Sequence, residues 1–433
     1  MTDAALERAA VRRVTWRLLP FLFLLFVVAF IDRTNVALAA LQMNRDLRLG
    51  AAAYGLGAGV FSIGYALFEI PSNLILVRVG ARRWIARIAI TWGAIACAMA
   101  LVRGPGSFFA LRFLLGVAEA GYVPGVIYYL GGWFPERHRA RAMSRFMVGI
   151  PLSGVVGGPL GGALLALDGR LGLAGWQWLF LVEGLPAVAL GVVALGWLTD
   201  RPDDARWLPA AERDWLRGRL DAERGGGAAP ALGGGVREAL TSGAVWWLSM
   251  PYTLAIVGGL GLTLWLPVLL RERLGASDQG VGLMLGGMGL AGVVGMLLNG
   301  AHSDRAGERV AHAAVPLAVT AIGFAVSATQ RAPVLVVAGF ALVVVGVNAF
   351  MPVFWTLPTA FLRRGVTAAA GIALINAVGN VGGFVGPGLL GLVKDATGSF
   401  DGALLALAGL AGVAALLMLR VRPGALSRVE PAA

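Results

Sequence analysis

The sequence predicts an all-α polytopic membrane protein with twelve transmembrane helices in two six-helix bundles. Of its 433 residues, 58% are hydrophobic and only 14% are charged, whereas about a quarter of the residues of a soluble protein are charged. Apolar runs of about 20 residues, each long enough to cross a bilayer core of about 30 Å, recur along the chain. One long polar segment, residues 199–241, separates the sixth run from the seventh.

Each apolar run is predicted to be a helix, because an isolated strand would leave its backbone groups without hydrogen-bond partners in lipid. The first run is not a cleaved signal peptide, since it is longer than the usual apolar region of one and contains Asp32 and Arg33. The predicted spans are 17–41, 53–77, 82–102, 107–133, 143–167, 176–198, 244–270, 279–301, 311–329, 333–357, 367–393 and 401–419.

The distribution of basic residues predicts the orientation of these spans. With both termini in the cytoplasm, the cytoplasmic segments hold roughly three times as many Lys and Arg residues as the external loops. The net charge of +12 is therefore explained by membrane topology, and nucleic-acid binding is not expected. A single cysteine, Cys97, and three histidines predict neither a disulfide within the chain nor a metal site, and no cofactor is expected.

The polar segment divides the chain into a predicted amino-terminal bundle (1–198), a cytoplasmic linker (199–243) and a carboxy-terminal bundle (244–433). Within the linker, Leu208, Trp215, Leu216 and Leu220 form an apolar stripe at helical spacing. This stripe has two possible explanations: either the helix lies on the cytoplasmic membrane surface, or it is a soluble linker helix.

The two predicted bundles are weak repeats of each other. The segment Asn73–Arg83 follows span two, and the segment Gly300–Val310 follows span eight, the equivalent position in the second half. "GGPLGG" in span five and "VGPGLLG" in span eleven align at almost the same offset. A duplicated unit with a transport site between the halves is a common plan of secondary transporters.

Charged side chains inside the first six spans are the strongest indication of function. They are Asp32, Arg33, Glu69, Arg112, Glu119 and Glu183. A charge near mid-membrane costs about 2.5–3.5 kcal/mol on insertion scales, so each such residue needs a reason. Buried ion pairs that only hold the bundle together are one explanation. A transport site is the better one, because the planar fork of an Arg matches a carboxylate.

Several motifs resemble a known family. Gly300, Asp304, Arg305 and Gly307 resemble the loop signature of the major facilitator superfamily. "FIDRTNVALAAL", "GYALFEIPSNLIL", "RFLLGVAEAGYVPGVIYYLGGWFPERHRARA" and "WQWLFLVEGLPA" resemble its anion:cation symporter family, and within it bacterial tartrate and sugar-acid permeases. The resemblance implies the major facilitator fold and a proton-coupled carrier of organic anions.

In such symporters the span-one Arg contacts the substrate carboxylate, and a span-one Asp and a span-four Glu take part in proton coupling. The resemblance therefore implies Arg33 for substrate, Asp32 and Glu119 for protons, and Arg112 as the partner that keeps Glu119 ionised. The neutral residues predicted to complete the substrate pocket are Asn35, Tyr65, Asn376 and Asn380. Packing between helices is the alternative role of each asparagine.

The sequence thus predicts a proton-coupled importer of a small hydroxylated or aromatic carboxylate, with a monomer expected in the bilayer. An exchanger of phosphorylated or other organic anions is the alternative, although it would be expected to place basic residues in both halves. A transporter-like sensor is less favoured because the linker is short. An enzyme is not expected, because the sequence shows no Ser/His/Asp set, metal cluster or phosphate-binding loop. Glu69 is predicted to lie at a helix end or gate, and Glu183 to pair with a neighbouring span or loop.

Overall fold

A computed structural model describes residues 3–224, 232–361 and 366–421 of the chain. Parts of the predicted linker (225–231) and of the predicted carboxy-terminal bundle (362–365 and 422–433) lie outside these residues.

The described chain is helical, and twelve helices or broken helices are long and apolar enough to cross a membrane. This confirms the predicted fold class. The α-helices are α1 (Asp3–Asp46), α2 (Ala51–Val79), α3 (Ala81–Ala98), α4 (Pro105–Glu119), α5 (Tyr122–Gly131), α6 (Glu136–Met147), α7 (Gly149–Leu165), α8 (Gly175–Trp197), α9 (Ala210–Arg224), α10 (Leu232–Thr241), α11 (Gly243–Leu274), α12 (Asp278–Ala306), α13 (Val310–Thr329), α14 (Pro333–Phe354), α15 (Thr356–Phe361), α16 (Val366–Thr397) and α17 (Asp401–Leu419). Short 3-10 helices cover Met99–Leu101, Arg170–Gly172 and Pro202–Asp204.

Three of the predicted spans are broken helices, which apolar length alone does not reveal. Span four consists of α4 and α5, span five of α6 and α7, and span ten of α14 and α15. The break in span four lies at Gly121, whose φ of 83° is in the left-handed region that favours glycine. A Cβ on Gly121 would lie 2.4 Å from Oγ of Ser72, so glycine also permits the close approach of α2. Glu119 is consequently the last residue of α4.

The two six-helix bundles meet along an interbundle seam, which we define as the contacts of α2 with α16 and of α7 with α12. Backbone touches backbone there. A Cβ on Gly55 would lie 2.3 Å from the carbonyl oxygen of Pro387, and a Cβ on Gly158 would lie 2.6 Å from that of Gly282. These glycines lie in the half of each helix that is remote from the membrane face where α1 begins. We call the face where α1 begins the amino-terminal face and the other the opposite face.

Hydrogen bonds close the seam at the opposite face. The carboxylate of Asp395 on α16 accepts the first N–H groups of α2, from Ala51 at 3.0 Å and from Ala52 at 2.7 Å. It therefore caps a helix of the other bundle, where a negative charge is favourable. The Tyr54 hydroxyl donates to the carbonyl of Leu264 at 2.7 Å.

The linker helix α9 packs against the amino-terminal bundle. Leu208, Leu216 and Leu220 are buried in the core of that bundle. Arg13 of α1 makes two hydrogen bonds to Glu212, at 3.0 and 3.2 Å. The apolar stripe is therefore covered by protein, which corrects the prediction that it lies on the membrane surface. The following helix, α10, contacts α16 of the other bundle.

Candidate substrate and proton site

The centre of the candidate site is an ion pair between Arg33 of α1 and Glu119 of α4. Nε of Arg33 donates to Oε1 of Glu119 at 3.0 Å, and Nη2 donates to the same oxygen. The Glu119 side chain is 2% exposed, whereas that of Arg33 is 22% exposed. The arginine is therefore the more accessible member of the pair.

Aromatic rings surround the Arg33 guanidinium. Its Cζ lies 5.0 Å from the ring centroid of Phe30, 5.3 Å from that of Phe61 and 5.0 Å from that of Tyr65. Phe61 and Tyr65 are one turn apart on α2 and stack with their centroids 6.0 Å apart. The faces of these rings attract the guanidinium cation and restrict its orientation. The structure thus brings the predicted site residue Tyr65 to Arg33.

Arg112 is not the ion-pair partner of Glu119, which corrects the pairing predicted from the sequence. Arg112 is 1% exposed, and its Nη2 donates to the carbonyl oxygen of Ala58 at 3.0 Å. Its Nε and Nη1 have no hydrogen-bond partner among the described residues. The reason is distance along α4, because two helical turns separate Arg112 from Glu119 by about 10 Å, whereas Arg33 lies directly opposite. The charge of Arg112 still acts on Glu119 electrostatically.

Asp32 belongs to a separate cluster on another side of α1. Its Oδ2 accepts a hydrogen bond from Nε1 of Trp92 at 2.8 Å, and its Oδ1 accepts one from Nδ2 of Asn35 at 3.3 Å. Neighbouring helix residues point about 100° apart, so Asp32 and Arg33 face different helices. Asn35 is 3% exposed and lies with Asp32 beside Glu183 of α8. The predicted place of Asn35 in the Arg33 pocket is therefore corrected.

The second bundle contributes neutral polar groups. The Tyr252 hydroxyl of α11 donates to Oδ1 of Asn376 on α16 at 3.4 Å. Asn380 lies one turn beyond Asn376, and its Nδ2 has no hydrogen-bond partner among the described residues. Sequence reasoning missed Tyr252, although a tyrosine inside a span, whose hydroxyl needs a partner, is a readable signal.

Glu69 connects these groups across the gap between the bundles. It interacts electrostatically with Arg33 of its own bundle and with Tyr252 of the other. Its carbonyl oxygen accepts a hydrogen bond from Nδ2 of Asn73 at 2.7 Å. Glu69 is therefore close enough to charged and polar groups of both bundles to act on them electrostatically.

The amino-acid sequence of the chain matches the model of a known protein family. The model described as Major Facilitator Superfamily matches residues 22–387. The chain belongs to the Major Facilitator Superfamily. It is a secondary transporter of this type and not an enzyme, it spans the lipid bilayer several times, and its substrate is a small molecule.

Two relatives and one solved structure illustrate where the chain stands within the superfamily. It is 47% identical to an Agrobacterium vitis protein described as a "putative tartrate transporter", over 99% of this chain and 97% of that protein. It is 43% identical to a "quinolone resistance transporter" of Acinetobacter baumannii, over 92% and 91% of the two chains. A bacterial homologue of the human lysosomal transporter Spinster, solved in an inward-facing and occupied conformation, superposes with a TM-score of 0.77. It is 18% identical, and the match covers 95% of this chain and 96% of that one.

The superfamily's two-bundle plan is chemically asymmetric in this chain. Arg33, Glu69, Arg112 and Glu119 all come from the first bundle, whereas Tyr252, Asn376 and Asn380 come from the second. The charged groups of the candidate site thus lie in the first bundle, and its neutral polar groups lie in the second. No group of three or more His, Cys, Asp or Glu side chains in the described part of this superfamily member could hold a metal ion.

Proposed function

We propose that the protein imports a small hydroxylated carboxylate, with tartrate as the first candidate, together with protons. The observation that carries the proposal is the Arg33–Glu119 ion pair, in which the partly exposed cation is held by a buried carboxylate. The relative described as a "putative tartrate transporter" supports the substrate class.

Proton and substrate are coupled because both act on the same pair. While Glu119 is ionised, its carboxylate occupies the guanidinium of Arg33, and a substrate carboxylate must displace it. A proton on Glu119 neutralises it and releases the two N–H groups of Arg33. Those N–H groups match the two oxygens of a substrate carboxylate, so proton binding and substrate binding assist each other.

The neutral groups of the second bundle then select the rest of the substrate. Tyr252 and Asn376 are joined by a long hydrogen bond of 3.4 Å, which hydroxyl groups of a substrate can replace. Tyr65 and Asn380 offer further hydrogen-bonding groups. A hydroxylated acid therefore satisfies both sides of the site, whereas a plain carboxylate satisfies only the side of Arg33.

The orientation follows from the excess of Lys and Arg on the amino-terminal face, which places that face in the cytoplasm. The seam then closes the site from the outside, and the conformation is inward-facing. We assign the protein to the bacterial cytoplasmic membrane with both termini inside, as a monomer of two bundles, 1–198 and 244–433, joined by the linker 199–243. Rocking of the bundles about the central site exposes it alternately to each side.

An exchanger of phosphorylated anions is the weaker candidate. The phosphoryl group of such a substrate concentrates up to two negative charges on the single group that faces Arg33, whereas each carboxylate of tartrate carries one, and Tyr252, Asn376 and Asn380 add no cation. A quinolone carries one carboxylate, so the relative described as a "quinolone resistance transporter" makes a quinolone a necessary comparison compound.

The deciding experiment is a thermal-shift screen of the purified protein with tartrate, sugar acids, sugar phosphates and a quinolone. A ligand at a hundredfold excess over its Kd stabilises the folded state by about 2.7 kcal/mol. We expect stabilisation by tartrate or a sugar acid in the wild type and in Arg78→Ala, an exposed arginine of α2, but not in Arg33→Ala. Stabilisation by sugar phosphates alone, or retained in Arg33→Ala, contradicts the proposal.

Coupling is tested in proteoliposomes that take up radiolabelled tartrate. We expect accumulation when the outside is acidic and loss of accumulation when a protonophore collapses the gradient. Uptake that is indifferent to the proton gradient rules out proton coupling and favours exchange.

A further inference from the structure

Glu183 of α8 is a buried carboxyl group that the proposed mechanism does not yet use. It is 4% exposed, and neither Oε1 nor Oε2 has a hydrogen-bond partner among the described residues. The amide of Asn35 on span one lies beside it and interacts with it, although the hydrogen bond of 3.3 Å from that amide goes to Asp32. Glu183 thus has a polar neighbour on another span, as the sequence predicted, but no cation pairs with it among the described residues.

The surroundings of Glu183 offer one other charged group and no cation among the described residues. Helix α8 packs against α1, α3, α7 and the 3-10 helix Met99–Leu101. From α1 come Asp32, whose charge acts on Glu183, and Asn35. From α3 comes the thiol of Cys97, and α7 contributes Gly161, on which a Cβ would lie 3.7 Å from Oε1 of Glu183. Asp32 and Glu183 therefore form a buried pair of carboxyl groups.

Hydrogen bonding distinguishes the two members of this pair. Asp32 accepts hydrogen bonds from Trp92 and Asn35, and such donors stabilise an ionised carboxylate. Glu183 has beside it only the amide that it shares with Asp32, and a buried carboxylate with so few partners is strongly disfavoured. When Asp32 is ionised, a proton is thus best placed on Glu183, since two adjacent buried carboxylates repel each other.

We propose that Asp32 and Glu183 together carry one proton of the transport cycle, with Glu183 as a proton-carrying residue in addition to Asp32 and Glu119. The proton moves between a carboxylate oxygen of Asp32 and one of Glu183, and no other bond changes. Because Arg33 faces away from this pair, it is a second proton site beside the Arg33–Glu119 pair, and the charge of Glu119 acts on Asp32. The inference rests on the proposed proton coupling and extends it to span six.

The first test measures protons moved per tartrate in proteoliposomes, from the membrane potential at which net flux reverses. We expect Glu183→Gln to lower this number by one, because the amide cannot titrate and offers Asp32 another donor. Leu185→Ala, a substitution of an exposed residue on the same helix, is the matched control and should keep the wild-type number. An unchanged proton number in Glu183→Gln overturns the inference.

The second test needs no variant and no substrate, so it does not depend on the folding of Glu183→Gln. A lipid-soluble carbodiimide modifies buried carboxyl groups that carry a proton, and mass spectrometry locates the modified residue. We expect modification of Glu183 in the wild type at neutral pH. Modification at other carboxyl groups but not at Glu183 overturns the inference. Wild-type transport without any proton coupling would instead refute the proposed function, and the carbodiimide result distinguishes the two failures.

Discussion

Arg33 donates two hydrogen bonds to the same carboxylate oxygen of Glu119, and so joins span one to span four inside the membrane. The pair leaves the cation 22% exposed and the anion almost fully covered. In the function we propose, a substrate carboxylate meets the arginine first and competes with Glu119 for it. The proposal therefore makes the charge of Glu119 the control of access to Arg33.

We expect Glu119→Gln to bind tartrate with an affinity that changes less with pH than that of the wild type, because the amide imitates the protonated acid and leaves Arg33 free. The wild type should bind more tightly as the pH falls. Thermal shift with tartrate at several pH values measures both. Transport by Glu119→Gln should equilibrate tartrate without accumulating it, and a pH dependence equal to that of the wild type would contradict the competition between Glu119 and substrate.

Tyr252→Phe should weaken binding of hydroxylated acids and spare acids without hydroxyl groups. The substitution removes one neutral hydrogen-bonding group next to Asn376, which is worth about 0.5–1.5 kcal/mol or roughly 2- to 13-fold in Kd. Competition for labelled tartrate by tartrate and by succinate, the analogue without hydroxyl groups, measures the difference. Equal weakening of both acids would mean that Tyr252 shapes the site without contacting the hydroxyl groups.

Gly158→Ala should destabilise the conformation that is closed at the opposite face. The new Cβ would lie 2.6 Å from the carbonyl oxygen of Gly282, and overpacking of this kind costs about 1–3 kcal/mol. Gly287→Ala on α12 is the control, since nothing lies within 4 Å of a Cβ there. Opening of the seam is measured with Leu285→Cys, a substitution at a seam residue, in protein that also carries Cys97→Ser. The rate at which a membrane-impermeant maleimide labels this cysteine reports how often the opposite face opens. Gly158→Ala should label faster than the control, and equal rates would show that the seam absorbs the methyl group.

Leu216→Ala should release α9 from the amino-terminal bundle. Leu216 is 1% exposed, and truncation of a buried leucine costs about 2–5 kcal/mol. Hydrogen exchange of Ala210–Arg224 should accelerate, while exchange in α3 stays unchanged. Gly218→Ala, on the exposed side of α9, should instead slow exchange because alanine favours the helix by up to about 1 kcal/mol. Unchanged exchange in Leu216→Ala would mean that the ion pair of Arg13 and Glu212 holds the helix without the leucine.

Glu308, in the turn before α13, makes the stability of that turn dependent on pH. Burial opposes its ionisation, but the N–H groups of Ala311 and His312 and the His312 ring outweigh burial and hold the pKa of Glu308 below its usual range. A lowered pKa stabilises the folded state at pH values above the ordinary value of about 4.3. This contribution is lost as the pH falls through the lowered pKa. Because Glu308 is 42% exposed, we expect only about 0.5 kcal/mol.

The comparison of the wild type with Glu308→Gln measures this contribution. The variant should unfold at a lower temperature at pH 6, and the difference should vanish in acid once Glu308 of the wild type is protonated. A difference that persists at the acid end would assign the effect to the shape of the side chain and not to its charge.

Apolar length and the position of the polar segment were sufficient to predict the twelve spans, because lipid leaves the backbone no alternative to helix. The breaks after Glu119 and at Val148 were not predictable from hydropathy, since they depend on contacts between helices. The same limit applies within the site. Spacing along α4 placed Arg112 and Glu119 on one face, but only the packing of α1 shows that Arg33 lies nearer to Glu119 than Arg112 does. Asn35 was misplaced because a polar residue in a span reveals its depth and not its neighbours, and the stripe of α9 did not reveal which surface it covers.

The glycines of the seam have a consequence for the speed of the transport cycle. Where Gly55 meets Pro387 and Gly158 meets Gly282, the contacting atoms are largely those of the main chain. Such surfaces have few rotamers to rearrange when they separate, and few to find again when they return. We therefore expect opening and closing at the opposite face to proceed as the motion of rigid bodies with little internal friction, so that under the proposed mechanism the charge of Glu119 limits the rate at which the carrier changes conformation.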